Sequence, residues 1–148
     1  MDLLDLDDVK THLADVAPTL RSIGFAADFA AAMGGGAVIA SPTAFLIQTG
    51  EQPFEVREGS GPLRQLILVT ISVLVAVNLA GRHGAAGLTA LKAPVGEVRM
   101  GLFGWPHPDA EGKFLLAGGG IEDFDAKTGV LLYRLDFEAP VRIQETLT

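Results

Sequence analysis

The sequence predicts an α+β fold: a mainly antiparallel sheet of about 4–6 strands flanked by two or three helices. Three observations predict it. The run Gln65–Val77 is uncharged, apolar and rich in β-branched residues, as a buried strand is. The last third of the chain alternates short apolar runs with glycine and aspartate turn signals, the pattern of an antiparallel meander. Two further stretches, one near the start and one after Leu88, repeat apolar residues at three- and four-residue steps, the period of a helix with one buried face.

The elements follow in order. Asp5, Asp7 and Asp8 are suited to cap and charge the start of a first helix, in which Leu6, Val9, Leu13 and Val16 share a face. Pro18 closes it. Leu20–Phe25 reads as extended, and the Ala-rich stretch Ala26–Met33 as a short helix ended by Gly34, Gly35 and Gly36. Thr43–Gln48 reads as a strand. From Thr49 to Pro62 the composition shifts to Gly, Pro, Glu and Ser around Phe54 and Val56, with no sustained period; a long mobile loop at 49–62, or a hairpin, is expected.

Gln65–Val77 is too short and too β-branched for a membrane span, which needs about 20 apolar residues. Arg64 bounds it on one side, Asn78, Arg82 and His83 on the other, and Thr70 and Ser72 lie inside it. A long strand buried on both faces is expected. Beyond Leu88, Pro94 is placed as the first residue of a helix whose Val95, Val98 and Leu102 share one face, with Gly104 as its stop. Lys113–Ala117, Gly118–Gly120, Ile121–Phe124, the turn Asp125–Gly129 and Val130–Ile143 then form the meander. In its last strand Leu131, Tyr133, Leu135 and Phe137 alternate against Val130, Leu132, Arg134 and Asp136, which marks the first set as the apolar face.

Composition narrows the function. A chain of 148 residues suits one domain, spanning 1–148. Hydrophobic residues make up 49% and charged residues only 20%, and the mean hydropathy is +0.36, so more apolar surface is present than a small monomer hides and self-association is expected. No cysteine is present, which removes disulfides, thiolate metal sites and cysteine nucleophiles. Net charge is −7 with basic residues scattered singly, unlike the clustered Lys and Arg that grip phosphate backbones. The acidic start Met1–Asp8 lacks the basic region of a secretory signal.

Catalytic, cofactor and metal motifs fail on spacing. Neither glycine triplet is followed by Gly-Lys-Ser/Thr, so tight turns are expected in place of a phosphate loop. Asp123, Asp125 and Thr128-Gly129 resemble the start of a calcium loop, but the sixth and twelfth positions fall on Thr128 and Arg134 where Gly and Glu are required. His12, His83 and His107 show no ligand spacing, and no serine sits in a nucleophile elbow. A small hydrolase or ligand-binding domain would have to use Asp123, Asp125 or His107 in one pocket. Trp105, between Gly104 and Pro106, is the expected core anchor at a helix exit, with an interface role as the alternative.

Several stretches in order resemble the tail terminator proteins of long-tailed bacteriophages and their prophage relatives. Arg64-Gln65-Leu66 opens a long apolar strand that ends in Ala76-Val77-Asn78-Leu79 and a loop Gly81–Gly87. A helix ends in Val98-Arg99-Met100-Gly101-Leu102-Phe103-Gly104-Trp105-Pro106. Phe114–Asp125, with its glycine triplet, then leads through a turn into Val130–Phe137. Leu20–Ala30 and Pro42–Phe45 are similar as well; the triplet Gly34–Gly36 and Pro94 depart from the family's pattern. The resemblance implies a structural virion protein of the tail and neck, made in the bacterial host cytoplasm, with no catalytic residue, cofactor or metal and no membrane. It implies a ring, usually hexameric, that caps the head-proximal end of the tail tube, ends polymerisation and presents a surface for the head. The implied partners are further copies of the chain, the tube protein and a head-tail connector or stopper protein, with DNA passing through the lumen without sequence-specific binding. A connector or tube subunit is the alternative. The candidate interface residues are Phe54, Val56, Arg57, Arg64, Arg82 and Trp105.

Overall fold

The computed structural model describes residues 3–34, 40–57, 59–79, 85–125 and 128–146. Its elements are α1 (Leu6–Val16), β1 (Ser22–Phe25), α2 (Ala26–Gly34), β2 (Thr43–Arg57), β3 (Arg64–Asn78), α3 (Ala85–Leu102), β4 (Leu115–Asp125) and β5 (Val130–Gln144). The strands form one sheet in the order β1-β2-β3-β5-β4. Only β1 and β2 run parallel; the other pairs are antiparallel. The fold is therefore α+β on a mostly antiparallel sheet, as the sequence predicts.

Local chemistry accounts for most boundaries. The Asp5 carboxylate accepts from the Asp7 amide at 2.9 Å and so caps α1, satisfying one of the amides a helix start leaves unpaired. Val9 and Leu13, one turn apart, are the buried residues of that helix. At the end of α3 Gly104 adopts φ +79°, and its amide donates to the Phe114 carbonyl at 2.8 Å. A left-handed residue is the usual helix stop, and this one also ties the helix to the start of β4.

Pro94 lies inside α3 and is not its first residue. Its ring removes the amide that would bond Ala90, yet packing of Leu91, Val95, Val98 and Leu102 into the core carries the helix across the gap. The segment expected as a mobile loop or hairpin proves to be a hairpin arm as far as Arg57: β2 pairs with β3 along its whole length. Register shifts fall between Gln48 and Gly50 and between Pro53 and Glu55. Bulges of this kind absorb glycine and proline and break the two-residue alternation, which is why the sequence shows no period there. β4 likewise runs unbroken through Gly118–Gly120, with shifts at Leu116/Gly118 and Ile121/Asp123.

The main core lies between the sheet and the pair α1 and α3. Val69, Ile71, Val73, Val75 and Val77 of β3 project into it beside Leu135, Phe137, Ala139 and Val141 of β5. A smaller cluster on the opposite face gathers Phe45, Leu74, Ala76, Val130 and Leu132, with Phe29 and Ala32 of α2 packed against it. β3 is thus buried on both faces from Ile71 to Val77, while Leu66, Leu68 and Thr70 remain half-exposed. The expectation of burial on both faces holds only where α2 reaches. Each fully buried Val, Leu, Ile or Phe contributes about 1.5–3 kcal/mol through removal from water, so the helix-covered face carries most of the stability.

Candidate functional site

The structure brings part of the predicted interface set together. Phe54 and Val56 project from the outer end of the hairpin and are 53% and 55% exposed. Arg57 ends β2 directly opposite Arg64 in the ladder. Phe54 and Arg64 line one cleft of about 310 Å³ with Gln65, Leu66, Glu111, Pro140 and Arg142, and Arg142 Nε donates to Glu111 Oε1 at 2.9 Å. Arg82 lies outside the described residues.

Trp105 stands apart from that cleft. Its indole stacks on His12 at 4.2 Å between centroids and 4° between planes, meets His107 edge-on at 5.4 Å and lies near Phe114 at 5.8 Å. His12 Nε2 is 2.8 Å from the Gly101 carbonyl. Half-buried in this aromatic stack, Trp105 seals the join between α1 and the exit of α3.

The groups with chemical potential are satisfied internally. His107 is buried; its Nδ1 accepts from the Asp109 amide at 3.0 Å, and its Nε2 donates to the Asp5 carbonyl at 2.8 Å. Asp8 and Asp109 lie 4.0 Å from the ring, and these three residues are the one metal-like grouping among the described residues. Both ring nitrogens are committed to backbone, so in this arrangement the imidazole has no lone pair for a metal. Asp123 and Asp125 do not join it. They sit at the far end of β4, an eleven-residue strand that spans about 35 Å, whereas Phe114 beside His107 precedes the near end.

On the face opposite α1 and α3 a hydrogen-bonded row crosses the strands. Ser72 Oγ donates to Asp136 Oδ1 at 2.6 Å and lies 2.9 Å from Thr49 Oγ1. Arg134 donates to Asp136 at 3.1 Å and to Glu122 at 2.5 Å. A serine on a carboxylate with no imidazole lacks the proton acceptor of a nucleophilic triad. The row binds β2, β3, β5 and β4 laterally where no helix covers them.

The feature that sequence reasoning missed is the β4 margin. Leu115, Leu116, Ile121 and Phe124 are all exposed. Leu116, Ile121 and Phe124 pair with Phe137, Tyr133 and Leu131, which places them on the helix-covered side of the sheet. Among the described residues the helices make their main contacts with β1, β2, β3 and β5. The alternation of apolar residues was visible in sequence; that the strand is an edge of the sheet was not.

No curated protein matches the chain. A chain in a solved structure titled "Virion of native gene transfer agent (GTA) particle" shares 16% identity, covering 93% of this chain and 91% of that one at a TM-score of 0.44, a likeness too distant to bear on function. Among the described residues no helix is long and apolar enough to cross a membrane. The family described as phage tail terminator protein matches residues 1–146, essentially the whole chain, and the protein belongs to that family of structural phage tail proteins.

Proposed function

We propose that the protein assembles as a ring, hexameric in the family's habit, which caps the head-proximal end of a phage tail tube. The ring ends tube polymerisation and offers its other side to a head-tail connector or stopper protein. DNA passes through the lumen without sequence-specific contacts, in keeping with a chain of net charge −7.

The observation that carries this reading is the β4 edge. A free strand edge invites pairing with other chains, and soluble proteins blunt such edges with charges, Pro, bulges or covering elements. β4 carries two register shifts and the acids Glu122, Asp123 and Asp125, yet it contains no Lys, Arg or Pro and leaves its large apolar residues in water. A ring closes through unlike patches on neighbouring copies, and such a margin is one half of that contact. Catalysis plays no part in this function.

Electron microscopy with mass measurement in solution and in the presence of tail tubes tests it. Closed rings, or tubes that stop growing when the protein is added, are expected. Open filaments would assign it to the tube, and a particle that stays single in all conditions and leaves tube growth unchanged would reject the reading.

A further inference from the structure

Resting on the ring reading, the geometry points to the other half of the contact: we infer that α2 of one copy seats on the uncovered β4 margin of its neighbour. The margin is a place for a helix without a helix. On α3, Leu91, Val95, Val98 and Leu102 face the core, while Gly101 faces α1, where a Cβ would overlap Val16. At about 100° per residue, the flank turned away from α1 carries Lys92, Arg99 and Phe103. That flank and the apolar side chains of Leu116, Ile121 and Phe124 lie on the same side of the sheet and bound the trough we assign as the seat of the neighbour's α2. Phe103 and these three are all exposed.

α2 is the converse, a helix without a full seat. Its sequence is Ala-Ala-Asp-Phe-Ala-Ala-Ala-Met-Gly, yet none of its residues is buried. A helix apolar on nearly every side belongs in an interior. Phe29 and Ala32 rest on its own sheet; Ala27, Ala30, Ala31 and Met33 face outward in water. Its single charge, the exposed Asp28, accepts from the Phe25 amide at 2.8 Å and is opposite in sign to Lys92 and Arg99, which have no carboxylate partner among the described residues.

Position makes the two surfaces a cyclic pair. α2 contacts β1 and β2 at one edge of the sheet, and β4 is the other edge. α2 also lies on the face opposite α1 and α3, whereas the trough is on their side. If the margins of adjacent sheets overlap, α2 is sandwiched between its own sheet and its neighbour's β4. Each copy then uses one margin to give and the other to receive, as a heterologous ring requires, and both exposed apolar surfaces leave water together.

The chain has no cysteine, so introduced cysteines give a clean test. A variant carrying Ala31→Cys and Ile121→Cys, oxidised under the conditions in which the unmodified protein forms rings, is expected to lose its monomer band to a covalent ladder reaching the ring size. Either single-cysteine variant should stop at dimers, and a control pair of Ala31→Cys with Val56→Cys should give no ladder. Rings by microscopy with no ladder, or an equal ladder from the control pair, would overturn this contact while leaving the ring intact. Failure of the unmodified protein to form rings alone or on tubes would overturn both. As a second measurement, Ile121→Glu and Ala31→Glu should each abolish rings while keeping the parent's thermal melt.

Discussion

β3 and β4 belong to the same sheet and both carry β-compatible apolar residues, but they live in different solvents. Ile71 of β3 is 1% exposed and Ile121 of β4 is 60% exposed. Nothing in the two side chains differs; the difference is what lies over them. β3 has α3 against one face, and on the other Leu74 and Ala76 share a cluster with Phe29 and Ala32 of α2, whereas β4 lies at the margin of the sheet. Apolar residues on the first strand stabilise the monomer, and the same residue type on the second remains available to bind another molecule.

The comparison can be broken by substitution. The largest effect is expected at the centre: Phe137→Ala, whose ring is fully buried against Phe114, should cost about 3–5 kcal/mol in denaturant unfolding. Gly101→Ala should come next, at about 1–3 kcal/mol from overpacking, because the new Cβ overlaps Val16. Adding Val16→Ala should recover much of that loss, and a double-mutant cycle showing no recovery would place the α1–α3 contact elsewhere.

Ser72→Ala tests the polar row between the two regimes. It removes the donor to Asp136 and the partner of Thr49, and a loss of about 1–3 kcal/mol is expected. The smallest effect on the monomer belongs to β4: Ile121→Ser should change unfolding free energy by less than about 0.5 kcal/mol while ring formation is lost. If Ile121→Ser destabilised the monomer as much as Phe137→Ala does, β4 would be part of the core after all.

Much of the fold was legible because it rests on short-range chemistry. The Asp5 cap, the spacing of Val9 and Leu13, the stop at Gly104 and the alternation through Leu131, Leu135 and Phe137 each depend on residues near one another in the chain. The bulged strands were not legible, since a bulge shifts alternation by one residue and makes a strand look irregular. Pro94 was misplaced for a related reason: a local rule puts proline at a helix start, and core contacts along α3 outweigh it.

Of the candidate interface residues, Phe54, Val56 and Arg64 follow from composition and resemblance, and the structure places them at one end of the sheet, with Phe54 and Val56 exposed and Phe54 and Arg64 lining one cleft. Trp105, expected as a core anchor with an interface role as the alternative, lies in the aromatic stack with His12 and Phe114. The β4 residues went unnamed because the sequence states their apolarity and not their neighbours.

By itself the sequence determined the unbulged strands, the position of the helices apart from the start of α3, and the family that the chain is similar to, because periodicity, caps and ordered motifs are local properties. Only the tertiary structure decided that β4 is an edge, that α2 lies across from α1 and α3, and that His107 spends both nitrogens on backbone. Those facts depend on which distant segments come to lie side by side, and burial is a property of that arrangement and not of any residue alone.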